Sequence, residues 1–160
     1  MMDVKQFAGV LEKLAVPALA RVALDAAAKS IEAEAKAEIG TYQRSNMGPY
    51  EPWEELKQAT QRERERLGFT PNDPLLRTGG LRDSISREVH GLEAAVGSTS
   101  DVMVYQEMGT RTIPPRPVLG LAASRKTEDV LRIVGESVRI GFLGGGLSTV
   151  SPARLLPPEE

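Results

Sequence analysis

The hydrophobic period of this 160-residue chain changes at Ile85. Before that point apolar residues recur every three or four positions, and just after it every second position. Helices and strands therefore occupy separate stretches, which points to an α+β fold and not an alternating α/β one. Residues 7 to 39 read as helix. Leu11, Leu14, Ala18 and Val22 lie on one face, and Leu24, Ala28, Ile31, Ala35 and Ile39 continue on a shifted one. Pro17 interrupts the run, because proline lacks a backbone donor and clashes one turn back. The expectation is a short first helix and a long Ala-rich second one with Pro17 near its first turn, or else a kink. Gly40 is a natural stop. Residues 40 to 52 are rich in turn formers and read as a loop. A second helix is expected over 53–67, with Pro52 at its first position, Glu54 and Glu55 near the positive end of its dipole, and Gly68 as its cap. Trp53, Leu56, Thr60, Glu63 and Leu67 form its stripe. The alternating charges from Arg62 to Arg66 read as a solvated helix face.

Residues 69 to 77 form another loop. Thr78 is expected to cap a short helical turn ending near Ser84, with Gly79 and Gly80 allowing close backbone approach. The alternation then gives three strands: Ile85, Arg87 and Val89; Leu92, Ala94 and Val96 after a turn at His90 and Gly91; and Val102, Val104 and Gln106. A loop follows from Gly109 through the prolines. Pro117 opens a last helix with Val130, Leu131, Val134 and Val138 on one stripe. The expected fold is α+β, a small antiparallel β-sheet packed against a long N-terminal helix and a C-terminal helix, with long loops. Residues 1–140 read as a single domain and residues 141–160, which include Gly144 to Gly146, as a flexible Gly/Pro-rich tail.

The same residues offer little chemistry. The chain is 41% hydrophobic but only 4% aromatic, so its core is built mainly from Leu, Val, Ile and Ala. Net charge is -2, which argues against a dominant nucleic-acid or anionic-membrane surface. There is no cysteine, so disulfides and thiolate sites are excluded. His90 is the only histidine and reads as a polar turn residue. No metalloprotease, serine-hydrolase, P-loop or dinucleotide motif is present. Glu32, Glu34 and Glu38 read as acidic residues on an Ala-rich helix. Arg77, Arg82, Arg87, Arg111 and Arg116 read as salt-bridging or subunit-contact residues in preference to phosphate contacts. No catalytic, cofactor-binding or metal site is expected. Neither a signal peptide nor an apolar run long enough to span a bilayer is apparent.

The order of motifs resembles that of tailed-phage tail-completion, or head–tail joining, proteins and the related virion-morphogenesis proteins of contractile-tailed phages. The likeness runs from about Ala23 to Ala122. It begins with the Ala-rich helix around Ala26 to Lys36 and continues through Trp53, Glu54, Glu55 and Leu56 followed by Thr60. Its most specific part is Pro74, Leu75, Leu76, Arg77, Thr78, Gly79, Gly80, Leu81, Arg82, Asp83, Ser84 and Ile85. Val96, Gly97 and Ser98 and then Tyr105 through Thr110 resemble the family's following strands, with Tyr105 where many members carry histidine. Ile113, Pro114, Pro115, Arg116 and Pro117 resemble its closing turn.

The resemblance implies a non-enzymatic virion structural protein. It would form a homo-oligomeric ring, commonly a hexamer, in the phage neck between the connector or adaptor and the tail tube or tail terminator. DNA would pass through the lumen without specific binding, and assembly would occur in the host cytoplasm with no membrane partner. The alternatives within that reading are a tail terminator, a head-side connector ring, or a morphogenesis factor absent from the mature virion. Under it, loops 40–52, 68–77 and 108–117 are the contact candidates, with Tyr42, Arg44, Tyr50, Arg77, Arg82, Glu107, Thr110, Arg111 and Arg116 as interface residues. Arg116, between prolines, is expected to pair with a charge on a neighbour. Trp53, Leu56, Leu76, Thr78, Gly79, Leu81, Ile85, Gly97, Gly109, Pro114 and Pro117 are the motif's structural residues.

Overall fold

The computed structural model describes residues 16–142. These form helices α1 (Val16–Glu38), α2 (Gln58–Arg66) and α3 (Gly80–Asp83), strands β1 (Ile85–His90) and β2 (Glu93–Ser98), and helices α4 (Asp101–Met108) and α5 (Leu119–Phe142). The class is α+β, as the sequence implies. The short first helix and most of the Gly/Pro-rich tail expected from the sequence lie outside the described residues.

The chain divides into two compact units. Among described residues, one unit holds the chain up to Ser30, Glu88–Ala95 and the chain from Thr127 on. The other holds Ile31–Arg87 and Val96–Lys126. Both long helices and both strands contribute to each.

In the first unit Leu19, Ala23, Ala26, Ala27 and Ile133 form the core, with Val22, Val130 and Ile140 packed against it. The inward stripe of α5 is therefore buried Ile133 and Ser137 with half-buried Val130 and Ile140. Leu131 and Val138, expected on that stripe, are 68% and 40% exposed. Both sets keep helical spacing, so periodicity alone does not choose between them. Ser137 tolerates burial because its hydroxyl donates to the Val134 carbonyl at 2.7 Å.

In the second unit Ala35, Ile39, Met47, Trp53, Ile85, Met103, Val118, Leu121 and Ala122 are buried together. Residues from α1, the hairpin, α4 and α5 thus share one core. Trp53 sits there, but not on a helix. The second helix begins at Gln58, five residues later than expected. Trp53 donates its backbone N–H to the Gln43 carbonyl, and Leu56 donates its own to the Tyr42 hydroxyl. These bonds hold 53–56 against the preceding loop, and Lys57 is extended. Nor is the expected stripe buried: Thr60, Glu63 and Leu67 are exposed, and Arg64 is the buried residue of α2. The helix does end as expected. Gly68 and Phe69 donate to the carbonyls of Glu65 and Arg64, so two terminal acceptors are satisfied. At α3 the N-cap is Gly79, in the left-handed region at φ +87°, and not Thr78. Thr78 still helps, its hydroxyl accepting from the Gly80 N–H at 3.4 Å.

The sheet has two strands, β1 and β2, and no third among the described residues. The two-residue connection Gly91–Leu92 makes it an antiparallel hairpin. Residues 102–106 alternate in sequence yet form α4. Strand geometry would turn Val102 and Val104 inward, but they are 49% and 60% exposed. Helical spacing instead turns Met103 into the core with Gln106 and Glu107 beside it. Asp101 in the first turn suits the positive end of the helix dipole.

Candidate functional site

The second unit carries nearly all the residues singled out in the sequence. Its organising turn runs from α4 to α5. Gly109 ends α4 at φ +70°, and a Cβ there would lie 3.0 Å from Pro115 and 3.1 Å from the Ile113 carbonyl. Thr110 closes the turn: its N–H donates to the Ile113 carbonyl at 2.8 Å, and its hydroxyl accepts from Thr112 and Ile113. The chain then passes through half-buried Pro114 and buried Pro117. This fold-back brings the Glu107 carboxylate to the start of α5. It accepts from the N–H groups of Val118, Leu119 and Gly120 at 2.8, 3.1 and 2.7 Å. One side chain so satisfies three of the four donors that a helix start leaves free. Gly120 is required by close approach, because a Cβ would meet the Tyr50 hydroxyl and come within 2.9 Å of Glu107. Glu107 and Tyr50, expected at an interface, thus act within the fold.

A second polar cluster is closed. Arg125 donates from Nη1 to Glu34, Glu38 and Gln43 at 3.3, 3.1 and 2.9 Å. Its Nε and Nη2 donate to the carbonyls of Asn46 and Ser45. Glu38 is only 2% exposed. Burial pushes its carboxyl up to about 8, against the opposing pull of Arg125 and with help from the charges of Glu34 and Glu107. Nearby, Glu32 accepts from Lys36 and Arg87, both at 2.6 Å. Those two bonds hold its carboxyl below the usual range.

A third region is open. A cleft of about 460 Å³ is lined by Leu56, Thr60, Glu63, Arg64, Leu75, Arg77, Thr78, Gly79, Leu81, Val102, Gln106 and Arg116. Leu56, Thr60, Gln106 and Arg116 also line a neighbouring cleft of about 290 Å³ bounded by Pro114. The cleft therefore gathers the most specific sequence motif, α2, α4 and the closing turn. Arg116, expected to pair with a charge on a neighbour, is only 5% exposed and bonds within its own chain. The closing turn folds under the 53–57 segment, so its guanidinium donates from Nε and Nη2 to the Glu54 carbonyl, at 3.3 and 2.8 Å.

The other expected contact residues are nearer the surface. The Tyr42 hydroxyl bridges the Leu56 N–H and Asn72. Arg44 pairs with Glu55 at 2.6 Å and lies over the Tyr42 ring. Arg77 lies over the Phe69 ring and 3.9 Å from Glu63, and Arg82 pairs with Asp83 at 3.4 Å. Arg111 is exposed. Leu76 and Leu81 pack on the core that holds Trp53 and Ile85. Gly97 carries no such demand, since a Cβ there meets nothing within 4 Å.

Sequence reasoning missed Arg64, Arg125, Glu38 and Gln43. The partners of Arg125 lie 79 to 91 residues away, and no local pattern pairs them. It also missed the outward face of α4. Val102, Val104, Tyr105 and Met108 are 49%, 60%, 53% and 77% exposed on one two-turn helix.

His90 is exposed and lies 3.3 Å from Glu88. Among the described residues no three His, Asp or Glu side chains are grouped to hold a metal ion, and no helix is long and apolar enough to cross a membrane. Comparison with protein-family models, with curated proteins and with solved structures gave no match.

Proposed function

We propose that this protein is a structural component of a tailed-phage neck, a self-associating ring protein that joins the DNA-filled head to the tail. The observation that carries the reading is the inverted amphipathicity of α4. A short helix that buries Met103 and leaves Val102, Val104, Tyr105 and Met108 exposed offers a partner apolar side chains on both of its turns. We assign those side chains to contact between identical copies, where head-to-tail association closes a ring. The ordered motifs from Trp53 to Pro117 supply the phage reading through their resemblance to the tail-completion family. Stiff short-range bonding in the 40–57 and 109–118 segments supports it, because a ring contact needs loops held in one shape.

The test has two parts. The double variant Tyr105→Ser, Met108→Ser should fold with a stability within about 0.5 kcal/mol of the parent, since both side chains are exposed. It should lose self-association by light scattering. Electron microscopy of lysates from a phage lacking this gene should show DNA-filled heads and separate tails of normal length. Normally joined particles would overturn the neck assignment. Empty heads or overlong tails would move the protein to the connector or the tail terminator.

A further inference from the structure

The cleft beneath the motif contains an electrostatic arrangement that the neck reading does not require. Arg64 and Arg116 are 8% and 5% exposed and line the same cavity, with Arg77 at its side. A buried guanidinium normally meets a carboxylate, because an unpaired buried charge is costly. Neither of these does. Arg64 uses only Nη1, donating to the carbonyls of Asp73 at 2.6 Å and Thr70 at 3.5 Å. Arg116 uses Nε and Nη2 on the single carbonyl of Glu54. The remaining donors, Nε and Nη2 of Arg64 and Nη1 of Arg116, bond nothing in the protein, yet none is sealed from solvent. The two cations also repel. Burial first, and the charge of Arg64 in addition, lower the affinity of Arg116 for its proton, while Tyr42 and Glu54 work in the opposite direction. The one carboxylate lining the cleft is Glu63, whose side chain is 58% exposed and faces Arg77 at 3.9 Å.

We infer that this cleft is an anion site that takes a carboxylate or phosphate group between Arg64 and Arg116. Such a group supplies acceptors for the three unused donors and relieves the repulsion between the guanidiniums. Arginine suits it because its planar fork donates to two oxygens at once. Thr60 and Thr78 add hydroxyls at the wall, and Leu56, Leu75 and Leu81 supply apolar surface for the rest of the ligand. The group belongs either to a small organic or inorganic anion or to an acidic side chain of a neighbouring protein, and the chemistry is the same for both.

The primary test uses the intact, unmodified protein, and the one variant added to it, at Arg77, is at an exposed position. The arginine Nε–Hε resonances are followed by NMR during titration with glutarate, with inorganic phosphate, and with an acetylated peptide centred on one glutamate. The expected result is saturable movement of the Arg64 and Arg116 signals, weakening as sodium chloride is raised. Saturation by glutarate or phosphate identifies a free-anion site. Saturation by the peptide alone identifies a protein carboxylate as the occupant. Arg77→Ala, an exposed position, should weaken the observed binding by about two- to fivefold. Linear shifts no different from those caused by chloride, with all three probes, would overturn the inference.

Discussion

Arg125 and the pair Arg64 and Arg116 are packed inside the same unit, but their surroundings differ in kind. Arg125 is enclosed by two carboxylates, one side-chain amide and two backbone carbonyls, with every guanidinium nitrogen engaged. Arg64 and Arg116 meet only carbonyls and keep donors unused at an open cleft. The first arrangement ties α1, the 43–46 loop and α5 together. The second anchors segments by one edge of each guanidinium and leaves the other edge to the cavity. Buried charge thus serves cohesion where its partners are internal, and recognition where they are incomplete.

The largest expected effect lies in the closed cluster. Arg125→Ala removes five hydrogen bonds and takes the cation from buried Glu38, while Glu34 keeps Lys126 at 3.5 Å. The five lost hydrogen bonds should destabilise the protein by about 3–5 kcal/mol in chemical denaturation. A loss below about 1 kcal/mol would erase the contrast between the two regions. In the open cleft Arg116→Lys keeps the charge but cannot reproduce two bonds to one carbonyl. We expect a smaller loss of about 1–2 kcal/mol. A loss as large as that of Arg125→Ala would mean that Arg116 is as closed as Arg125.

The pH dependence sharpens the comparison further. Folding raises the Glu38 carboxyl from near 4.5 to about 8. The folded protein therefore holds a proton that the unfolded chain releases. This contribution is fully present below about pH 4.5 and is lost as pH rises through about 8. Glu38→Gln should remove that decline, so its melting temperature should gain on the parent between pH 5 and pH 8. Parallel curves for the two proteins would show that Glu38 does not titrate in this range. The smallest effect belongs to Arg77→Ala. Its contact with Glu63 is exposed and long, so stability should change by less than about 0.5 kcal/mol while anion binding weakens. A large stability change would place Arg77 in the structural framework and not at the mouth of the cleft.

The two regions were unequally legible in the sequence. Arg116 was visible as a stiff residue between prolines, and Arg77 as part of a dense motif. Which way Arg116 points was not visible, because that depends on the 53–57 segment being held extended by bonds to Tyr42 and Gln43. Arg64 looked like one charge among alternating charges on a solvated helix. It is buried because the chain after Gly68 doubles back and offers the carbonyls of Thr70 and Asp73. Arg125 carried no local signal at all, since its ligands come from α1 and the loop that follows.

Period and punctuation in the sequence determined the class of this fold. The Ala-rich helix, the stop at Gly40, the Gly68 cap, the alternation from Ile85 to Val96 and the last helix are local consequences of backbone preference and apolar spacing. These work over one to four residues and are readable without the rest of the chain. The tertiary structure decided the remainder. It chose helix over strand for 101–108, turned α5 so that Ile133 is buried and Leu131 is not, and sent Arg116 inward. Each of these was a choice between two locally acceptable arrangements. Contacts from residues tens of positions away made the difference, because burial and charge pairing depend on what surrounds a side chain and not on what precedes it in sequence.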